Sequence, residues 1–155
     1  MRPRNELPVT KTSRRQAREL ALQALYAWQL SGAAVADATE QMTQLEGWDR
    51  SDQKLAQSLV CGVMARCGEL EQLIAPHLSD RSFAELSPVE RAIIYVGTLE
   101  LATRPETPFK VVINEAVELG KAYGGTDGHR FVNGVLEKLS AQLRPAEFAR
   151  AKQAV

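Results

Sequence analysis

Residues Tyr123–Leu139 read YGGTDGHRFVNGVLEKL, and this stretch passes from two glycines into a regular helix. From Phe131 onward, apolar residues recur at i, i+1, i+4, i+5 and i+8 and share one helical face: Phe131, Val132, Val135, Leu136 and Leu139. The polar residues before this face allow two interpretations. Asp127 could be a simple N-cap whose carboxylate accepts the first N–H groups of the helix. Alternatively, backbone N–H groups, His129 and Arg130 could face an anionic ligand, with Phe131 beneath it.

The same helical period recurs along the rest of the chain and predicts an all-α protein. No segment alternates with period two for long enough to make a sheet. The loops are short, so neighbouring helices should pack antiparallel in a bundle of about seven helices. We expect the first helix at Thr12–Leu30, ended by Gly32, and a second, weaker one ended by Gly47. A long third helix should run from Ser51 to Pro76. The next should begin at Ser87, and the one after it should span Phe109–Tyr123 and be ended by Gly124.

The helix start at SPVERAIIYVGTLEL, Ser87–Leu101, has strong local markers. Ser87 is placed to be an N-cap, and Pro88 occupies the first helical position, where its missing N–H is not needed. Glu90 stands at the third helical position, so the three residues predict a capping box.

Bulk composition indicates a globular protein. Of the 155 residues, 45% are hydrophobic and 25% are charged. No apolar run approaches the roughly 20 residues of a membrane helix, and the N-terminus lacks the features of a signal peptide. We therefore expect a cytoplasmic protein without membrane contact. Cys61 and Cys67 fall in one apparent helix, about 240° apart, so neither a disulfide nor a metal site is expected.

The zero net charge conceals a basic N-terminus. Residues 1–18 contain six basic side chains against the single acid Glu6, a net charge of +5. Such an arm suggests an anionic partner, nucleic acid first, although a solvated terminus would look the same. We predict a flexible arm at residues 1–11, one helical RNA-binding domain at 12–143, and a weak terminal helix or tail at 144–155.

The sequence contains no recognisable catalytic motif. There is no phosphate-binding glycine loop, dinucleotide turn or zinc-protease motif. His77 and His129 are the only histidines, and neither stands in a nucleophile setting. Glu115 and Glu118 are three apart on one helix, a spacing typical of a solvated edge. We therefore expect neither enzymatic activity nor a cofactor.

A second stripe runs along the first helix beside its apolar face. Arg15, Arg18, Leu22 and Tyr26 fall at i, i+3, i+7 and i+11. If the helix is buried on two sides, Leu22 and Tyr26 belong to the core. Otherwise the stripe is a contact surface, with arginines for phosphate and a tyrosine for a protein partner.

Three segments together resemble the NusB family of bacterial transcription antitermination factors. They are SRRQARELALQALYAWQL (13–30), SPVERAIIYVGTLEL (87–101) and VVINEAVELGKAYGGTDGHRFVNGVLEKL (111–139), and the last is the most specific. The similarity covers essentially Ser13–Leu139. The same module resembles the N-terminal RNA-binding domain of an rRNA cytosine methyltransferase. That enzyme would need a further catalytic domain, which we do not expect because the sequence ends at Val155.

The resemblance implies two small helical bundles and a non-enzymatic RNA-binding function. It implies binding to the single-stranded boxA element of nascent rRNA transcripts, pairing with NusE (the ribosomal small-subunit protein), and association with the RNA polymerase elongation complex and other Nus factors. The residues implied for RNA binding are Arg14, Arg15, Arg18, Lys121, Gly124, Asp127, His129, Arg130 and Phe131. Those implied for the protein partner are Tyr26, Glu90 and Arg91. On this basis the start of the last motif is a binding edge.

Three departures from the family pattern bear on these expectations. First, Gln16 replaces a common basic residue. Second, Gly128 replaces a frequent serine. Third, on one helix, Tyr95 and Thr98 together stand where an arginine and a tyrosine are common. A competing hypothesis is a homodimeric protein-interaction module without direct RNA binding, whose basic arm is only solvated.

Overall fold

The computed structural model describes residues 8–125 and 127–153, and all regular secondary structure in that part of the chain is helical. This confirms the predicted all-α class, with eight α-helices where about seven were expected. The helices are α1 (Lys11–Ser31), α2 (Val35–Met42), α3 (Gln53–Ala65), α4 (Cys67–Ile74), α5 (Pro88–Thr103), α6 (Phe109–Tyr123), α7 (Gly128–Leu143) and α8 (Pro145–Gln153), with short 3-10 helices at Trp48–Arg50, Ala75–His77 and Phe83–Glu85.

The chain divides into two compact units, an N-terminal unit (Met1–Ala65) and a C-terminal unit (Arg66–Val155). In the N-terminal unit, α1 packs against α2 and α3. Residues 1–7 of the predicted flexible arm lie outside the described residues, and α1 already begins at Lys11.

Helix α1 begins with a capping box that the sequence analysis did not identify. The Thr10 hydroxyl accepts a hydrogen bond from the Ser13 N–H (3.0 Å), and the Thr10 N–H donates to the Ser13 hydroxyl (2.8 Å). The serine takes the role that glutamate usually has in this motif. The Ser13 carbonyl also accepts a hydrogen bond from the Asp52 N–H (3.0 Å), which joins the start of α1 to the turn before α3.

Two glycines in the N-terminal unit have the left-handed conformation, but only one ends a helix. Gly32 (φ 69°) ends α1 as predicted, and its N–H donates to the Trp28 carbonyl. Helix α2 ends at Met42, so the prediction that it continues to Gly47 was wrong. Gly47 (φ 95°) instead forms the turn before the 3-10 helix at Trp48–Arg50.

The long helix predicted from Ser51 to Pro76 is two helices, α3 and α4. Arg66 (φ −116°, ψ 20°) leaves the helical region and separates them. Cys61 therefore belongs to α3 and Cys67 to α4, so the premise that they share one helix was wrong, although both are free thiols. Apolar residues continue at helical spacing through the break, which is why periodicity alone did not reveal it.

In the C-terminal unit, α5 packs against α4, α6 and α7, and every residue from Ala92 to Leu101 is buried. Ser87 caps α5 as predicted and accepts a hydrogen bond from the Glu90 N–H (3.1 Å). The Glu90 carboxylate does not complete the capping box, because it pairs with Arg81 instead. This ion pair places Arg81, a loop residue, at the start of α5.

The predicted weak terminal segment contains a regular helix, α8, that is joined to the rest of the unit by Arg144. This buried guanidinium donates hydrogen bonds to four backbone carbonyls at and beyond the end of α5: Glu100, Leu101, Arg104 and Thr107. Arg144 also pairs with Glu147 (3.2 Å), whose other carboxylate oxygen accepts the Phe109 N–H (2.8 Å). One arginine and one glutamate thus satisfy the end of α5 and the start of α6.

Candidate nucleic-acid interface

The start of α7 carries Asp127, His129, Arg130 and Phe131, but it is not built as a simple cap. Asp127 occupies the N-cap position in the left-handed conformation (φ 65°, ψ 4°), and its side chain makes no capping hydrogen bond. Its carboxylate lies 3.6 Å from Nε of Arg130. The hypothesis that this carboxylate caps the helix was therefore wrong. The side chain of Arg130 is 79% exposed, so a cation stands at the helix start.

Close contact between α6 and α7 places His129. A Cβ atom built on Gly120 would lie 3.0 Å from the Cα of His129, so the two backbones meet where only glycine fits. His129 is half-buried at this crossing.

The end of α6 was only partly as expected. Helix α6 ends at Tyr123 as predicted, but Gly124 follows it in an extended conformation (φ −85°, ψ 172°) and not in the left-handed one that glycine often has after a helix. Its N–H donates to the Gly120 carbonyl (2.9 Å), and a Cβ on Gly124 would lie 2.7 Å from that oxygen. The Lys121 ammonium is exposed beside Glu118 at 3.7 Å.

The ring of Phe131 is covered by an arginine that the sequence analysis did not single out. Cζ of Arg81 lies 4.2 Å from the ring centroid, a cation–π contact. The same guanidinium faces both carboxylate oxygens of Glu90, at 3.4 Å each. Glu90 also lies beside Gly128, since a Cβ there would be 3.9 Å from Oε2 of Glu90. We call Arg81, Glu90 and Phe131 the stacked cluster.

The stacked cluster unites residues predicted for different roles. Phe131 was predicted to bind RNA and Glu90 to bind a protein partner, yet both contact Arg81. No local pattern predicts Arg81, because it lies in an irregular loop and its contacts are distant along the chain.

Arg91, the other predicted partner residue on α5, contacts its own unit. It donates a hydrogen bond to the Phe83 carbonyl and lies over the Phe83 ring at 5.9 Å. That ring stacks on Tyr95, whose hydroxyl donates to Glu71 (2.6 Å). Burial raises the pKa of Tyr95, and its hydrogen bond to Glu71 raises it further. Tyr95 and Thr98, two of the departures from the family pattern, are both buried, which gives them a packing role.

In the N-terminal unit, the three predicted RNA-binding arginines differ in exposure. Arg14 and Arg15 are exposed on the first turns of α1, whereas Arg18 is only 4% exposed. Gln16 is half-buried, and its side chain lies against Gly47, where a Cβ would come within 2.4 Å of Nε2. The residue that departs from the family's basic pattern thus has a packing contact.

Leu22 and Tyr26, the last two residues of the second stripe on α1, also differ in exposure. Leu22 is buried, so it belongs to the core. Tyr26 is 40% exposed, and Leu30 and Val35 are exposed near it in sequence. The core alternative therefore holds for Leu22 and not for Tyr26, whose contact with a protein partner stays a prediction.

Other kinds of site find no support in the described residues. No cluster of three or more His, Cys, Asp or Glu side chains in residues 8–125 and 127–153 could hold a metal ion. Over the same residues, no helix combines the length and the apolar character needed to cross a bilayer.

The described residues form an all-helical protein with exposed basic side chains at the starts of α1 and α7. A model of the NusB family matches residues 15–141. The curated protein "Transcription antitermination protein NusB" of Burkholderia cenocepacia strain HI2424 is 49% identical over 137 residues, which cover 88% of this chain and 94% of the relative. The protein of the same name from Burkholderia ambifaria strain MC40-6 has the same identity and coverage.

Solved structures agree with the sequence comparisons. A structure of NusB from T. maritima superposes with a TM-score of 0.77 at 27% identity, covering 90% of this chain and 99% of that one. A chain from a crystal structure of antitermination factors NusB and NusE in complex with double-stranded RNA gives a TM-score of 0.75 at 26% identity, covering 86% and 99%.

The chain belongs to the NusB family of transcription antitermination proteins. Its function is therefore transcription antitermination and not enzymatic catalysis, as the sequence predicted.

Proposed function

We propose that this protein binds single-stranded boxA-type RNA in nascent rRNA transcripts together with NusE. The assembly joins the RNA polymerase elongation complex with other Nus factors in the cytoplasm. The observation that supports this most directly is the start of α7, where a highly exposed arginine stands beside an arginine-stacked phenylalanine. Cations beside an aromatic ring are the usual means of holding single-stranded nucleic acid.

On the C-terminal unit, the RNA would contact the start of α7 and the end of α6. Arg130 and Lys121 are exposed and supply positive charge for phosphates, while His129 and Phe131 place aromatic rings at the same helix start. Gly124 and the left-handed Asp127 shape the turn between the helices. Each basic side chain has a carboxylate partner, Asp127 for Arg130 and Glu118 for Lys121, so phosphates would compete with these surface pairs. Exposed pairs of this kind are weak and screened by salt, which leaves the cations available.

On the N-terminal unit, we assign phosphate contacts to the start of α1. Arg14 and Arg15 are exposed there and can present planar guanidinium groups to phosphate oxygens. Arg18 is buried, so its contribution would be to support this helix start and its neighbours.

We assign NusE binding to Tyr26 on the N-terminal unit, with Glu90 and Arg91 on the C-terminal unit. Tyrosine is enriched among residues that dominate protein interfaces, and Tyr26 is exposed while its neighbours in the α1 stripe are buried. The solved complex of NusB and NusE with double-stranded RNA supports NusE as the partner by similarity. If RNA and NusE each favour the other's binding, both affinities must change by the same factor.

The deciding experiment is a salt titration of RNA binding. The protein is titrated into labelled boxA-type RNA, as a single strand and as a duplex, with and without NusE. The variant Arg14→Ala/Arg15→Ala should reduce the slope of log affinity against log salt by about 0.7 for each phosphate of a single strand that the protein no longer neutralises. Lys54→Ala, which removes an exposed cation on α3, serves as the control.

Three outcomes would contradict parts of this proposal. An unchanged slope in the double variant would show that these arginines do not meet phosphate. Preference for the duplex would overturn the single-strand assignment. An absence of RNA binding, together with a protein mass twice that of the chain in sedimentation, would favour the homodimeric interaction module.

A further inference from the structure

Arg81 lies in the loop between the 3-10 helices at Ala75–His77 and Phe83–Glu85, and its guanidinium is held on two sides. Phe131 lies against the guanidinium, with Cζ 4.2 Å from the ring centroid. Glu90 faces its Nη1 and Nη2 atoms at 3.4 Å each, and Nη2 also lies 3.4 Å from the Glu85 carbonyl. Arg81 is thus oriented by contacts from a ring, a carboxylate and the backbone.

Part of the Arg81 side chain is accessible to solvent. The side chain of Arg81 is 32% exposed, whereas that of Glu90 is 13% exposed. Phe131 and Glu90 each cover part of the guanidinium, so a base would have to approach from the side that neither of them occupies. Nucleic-acid bases stack on guanidinium planes as they do on aromatic rings. The contact with Phe131 places this guanidinium at the start of α7, the helix that also carries the exposed Arg130.

We propose that Arg81 is a further RNA-contact residue, the platform on which one base stacks, and that Glu90 is a positioning residue that orients it. This inference rests on the proposed RNA function. The stack would run from the base through the guanidinium to the ring of Phe131. Phe131 then acts on RNA through Arg81 rather than by direct contact with the base.

The alternative is that Arg81 only covers the Phe131 ring in the free protein and is displaced when a base stacks on that ring. Charge argues against displacement. Without Arg81, the half-buried Glu90 carboxylate would lose its positive partner close to Gly128, at the helix start where the phosphates would bind. An unpaired, partly buried carboxylate beside an anionic ligand is unfavourable twice, through desolvation and through repulsion. Arg81 in place neutralises it.

The test compares variants of the full-length protein in the boxA-type RNA titration without NusE, so that the NusE contact assigned to Glu90 does not affect the result. Arg81→Ala should weaken binding to the single strand about tenfold, in line with the loss of one stacked base. Arg81→Lys keeps the charge but loses the plane, so it should weaken binding by a similar factor while leaving the salt slope unchanged. Glu90→Gln should weaken binding less, and should add nothing further in the Arg81→Ala background, because its effect passes through Arg81.

Arg104→Ala is the matched control. Arg104 is likewise about one-third exposed (35%), and it lies 3.5 Å from a carboxylate, Glu106, but at the opposite end of α5. It should bind RNA like the unchanged protein. Thermal melts of all variants establish that each is folded. If Arg81→Ala melts early, Arg81→Lys still decides the question because it preserves the charge pair.

Each contrary outcome has a separate meaning. Tighter binding by Arg81→Ala would identify Arg81 as a cover and overturn the proposal. Unchanged binding by Arg81→Lys would show that only the positive charge of Arg81 matters. That result would overturn the proposal that a base stacks on its guanidinium. If the unchanged protein itself fails to bind RNA at low salt, the proposed function fails first and the inference falls with it.

Discussion

Asp127 shows how a residue's conformation can matter more than its side-chain hydrogen bonds. Sequence position suggested a capping carboxylate, yet the backbone is left-handed and the carboxylate lies near Arg130. Asparagine and aspartate tolerate this conformation better than other residues with a Cβ. The side chain is therefore suited to the turn, while its charge offsets that of an adjacent arginine in the proposed RNA site.

Two substitutions at Asp127 separate conformation from charge. Asp127→Asn should leave the free energy of unfolding within about 0.5 kcal/mol, since Asn also tolerates the left-handed region. It should tighten RNA binding by less than tenfold, because one screened surface charge contributes about 1 kcal/mol or less. Asp127→Ala removes the same charge but should cost about 1 kcal/mol of stability through backbone strain.

Urea unfolding and RNA titration of the two variants check this expectation. Weaker RNA binding by Asp127→Asn, with stability intact, would show that the carboxylate accepts hydrogen bonds from the RNA.

At the scale of helices, the α6–α7 crossing depends on a glycine. Gly120 meets the backbone of His129, which cannot move aside as a flexible side-chain end could. Gly134 lies later on α7. A Cβ atom built on Gly134 would have no heavy atom within 4 Å other than those of its chain neighbours and its own helix backbone. The two glycines form a matched pair for substitution.

Gly120→Ala should destabilise the protein by about 1 to 3 kcal/mol, because overpacking outweighs the better helix propensity of alanine. It should also weaken RNA binding by displacing the start of α7. Gly134→Ala should be neutral or should stabilise by up to about 1 kcal/mol, with RNA binding unchanged. Urea denaturation measures both changes in stability. Equal stability of the two variants would contradict the prediction, because it would mean that α6 and α7 can move apart at no cost in free energy.

The attachment of α8 depends on the Arg144–Glu147 pair. The hydrogen bond from the Phe109 N–H lowers the pKa of Glu147, and Arg144 lowers it further. A carboxyl group whose pKa is lowered in the folded state stabilises the protein above its unfolded pKa. That stabilisation is lost as the pH falls through the folded pKa.

Glu147→Gln should therefore lower the free energy of unfolding by about 1 kcal/mol at neutral pH, the size of a charge-assisted capping bond. At acidic pH, where Glu147 is protonated, the difference from the unchanged protein should vanish. Urea unfolding at several pH values measures this, and a difference that persists at low pH would show that charge is not the cause.

At the scale of the whole molecule, the proposed function is to assemble a complex with NusE, and a substitution at Tyr26 tests it. Tyr26→Asp should weaken NusE binding about thirtyfold or more, as for a dominant interface tyrosine. Stability should fall by no more than about 1 kcal/mol, because the side chain is 40% exposed. Tyr123→Asp, at 41% exposure on α6, is the control. Calorimetric titration with NusE measures affinity, and equal losses in both variants would contradict a specific surface at Tyr26.

The sequence determined the helical class and the location of most helices. Helical periodicity marks every long helix, and the local markers at Gly32, Ser87 and Pro88 act within one turn, so they can be read directly. The same locality explains the errors. The break at Arg66 interrupts no apolar pattern, and an aspartate before a helix fits both an N-cap and the left-handed turn that Asp127 adopts.

Only the tertiary structure decided which basic and aromatic side chains are exposed and what they contact. Arg15 and Arg18 look equivalent in sequence, yet the first is exposed and the second is buried. Arg144 joins α5 to α8, and Arg81 joins Glu90 to Phe131, across separations that no local pattern records. The physical reason is that burial, cation–π stacking and ion pairing depend on distances in space, whereas helix propensity and capping depend on neighbours along the chain.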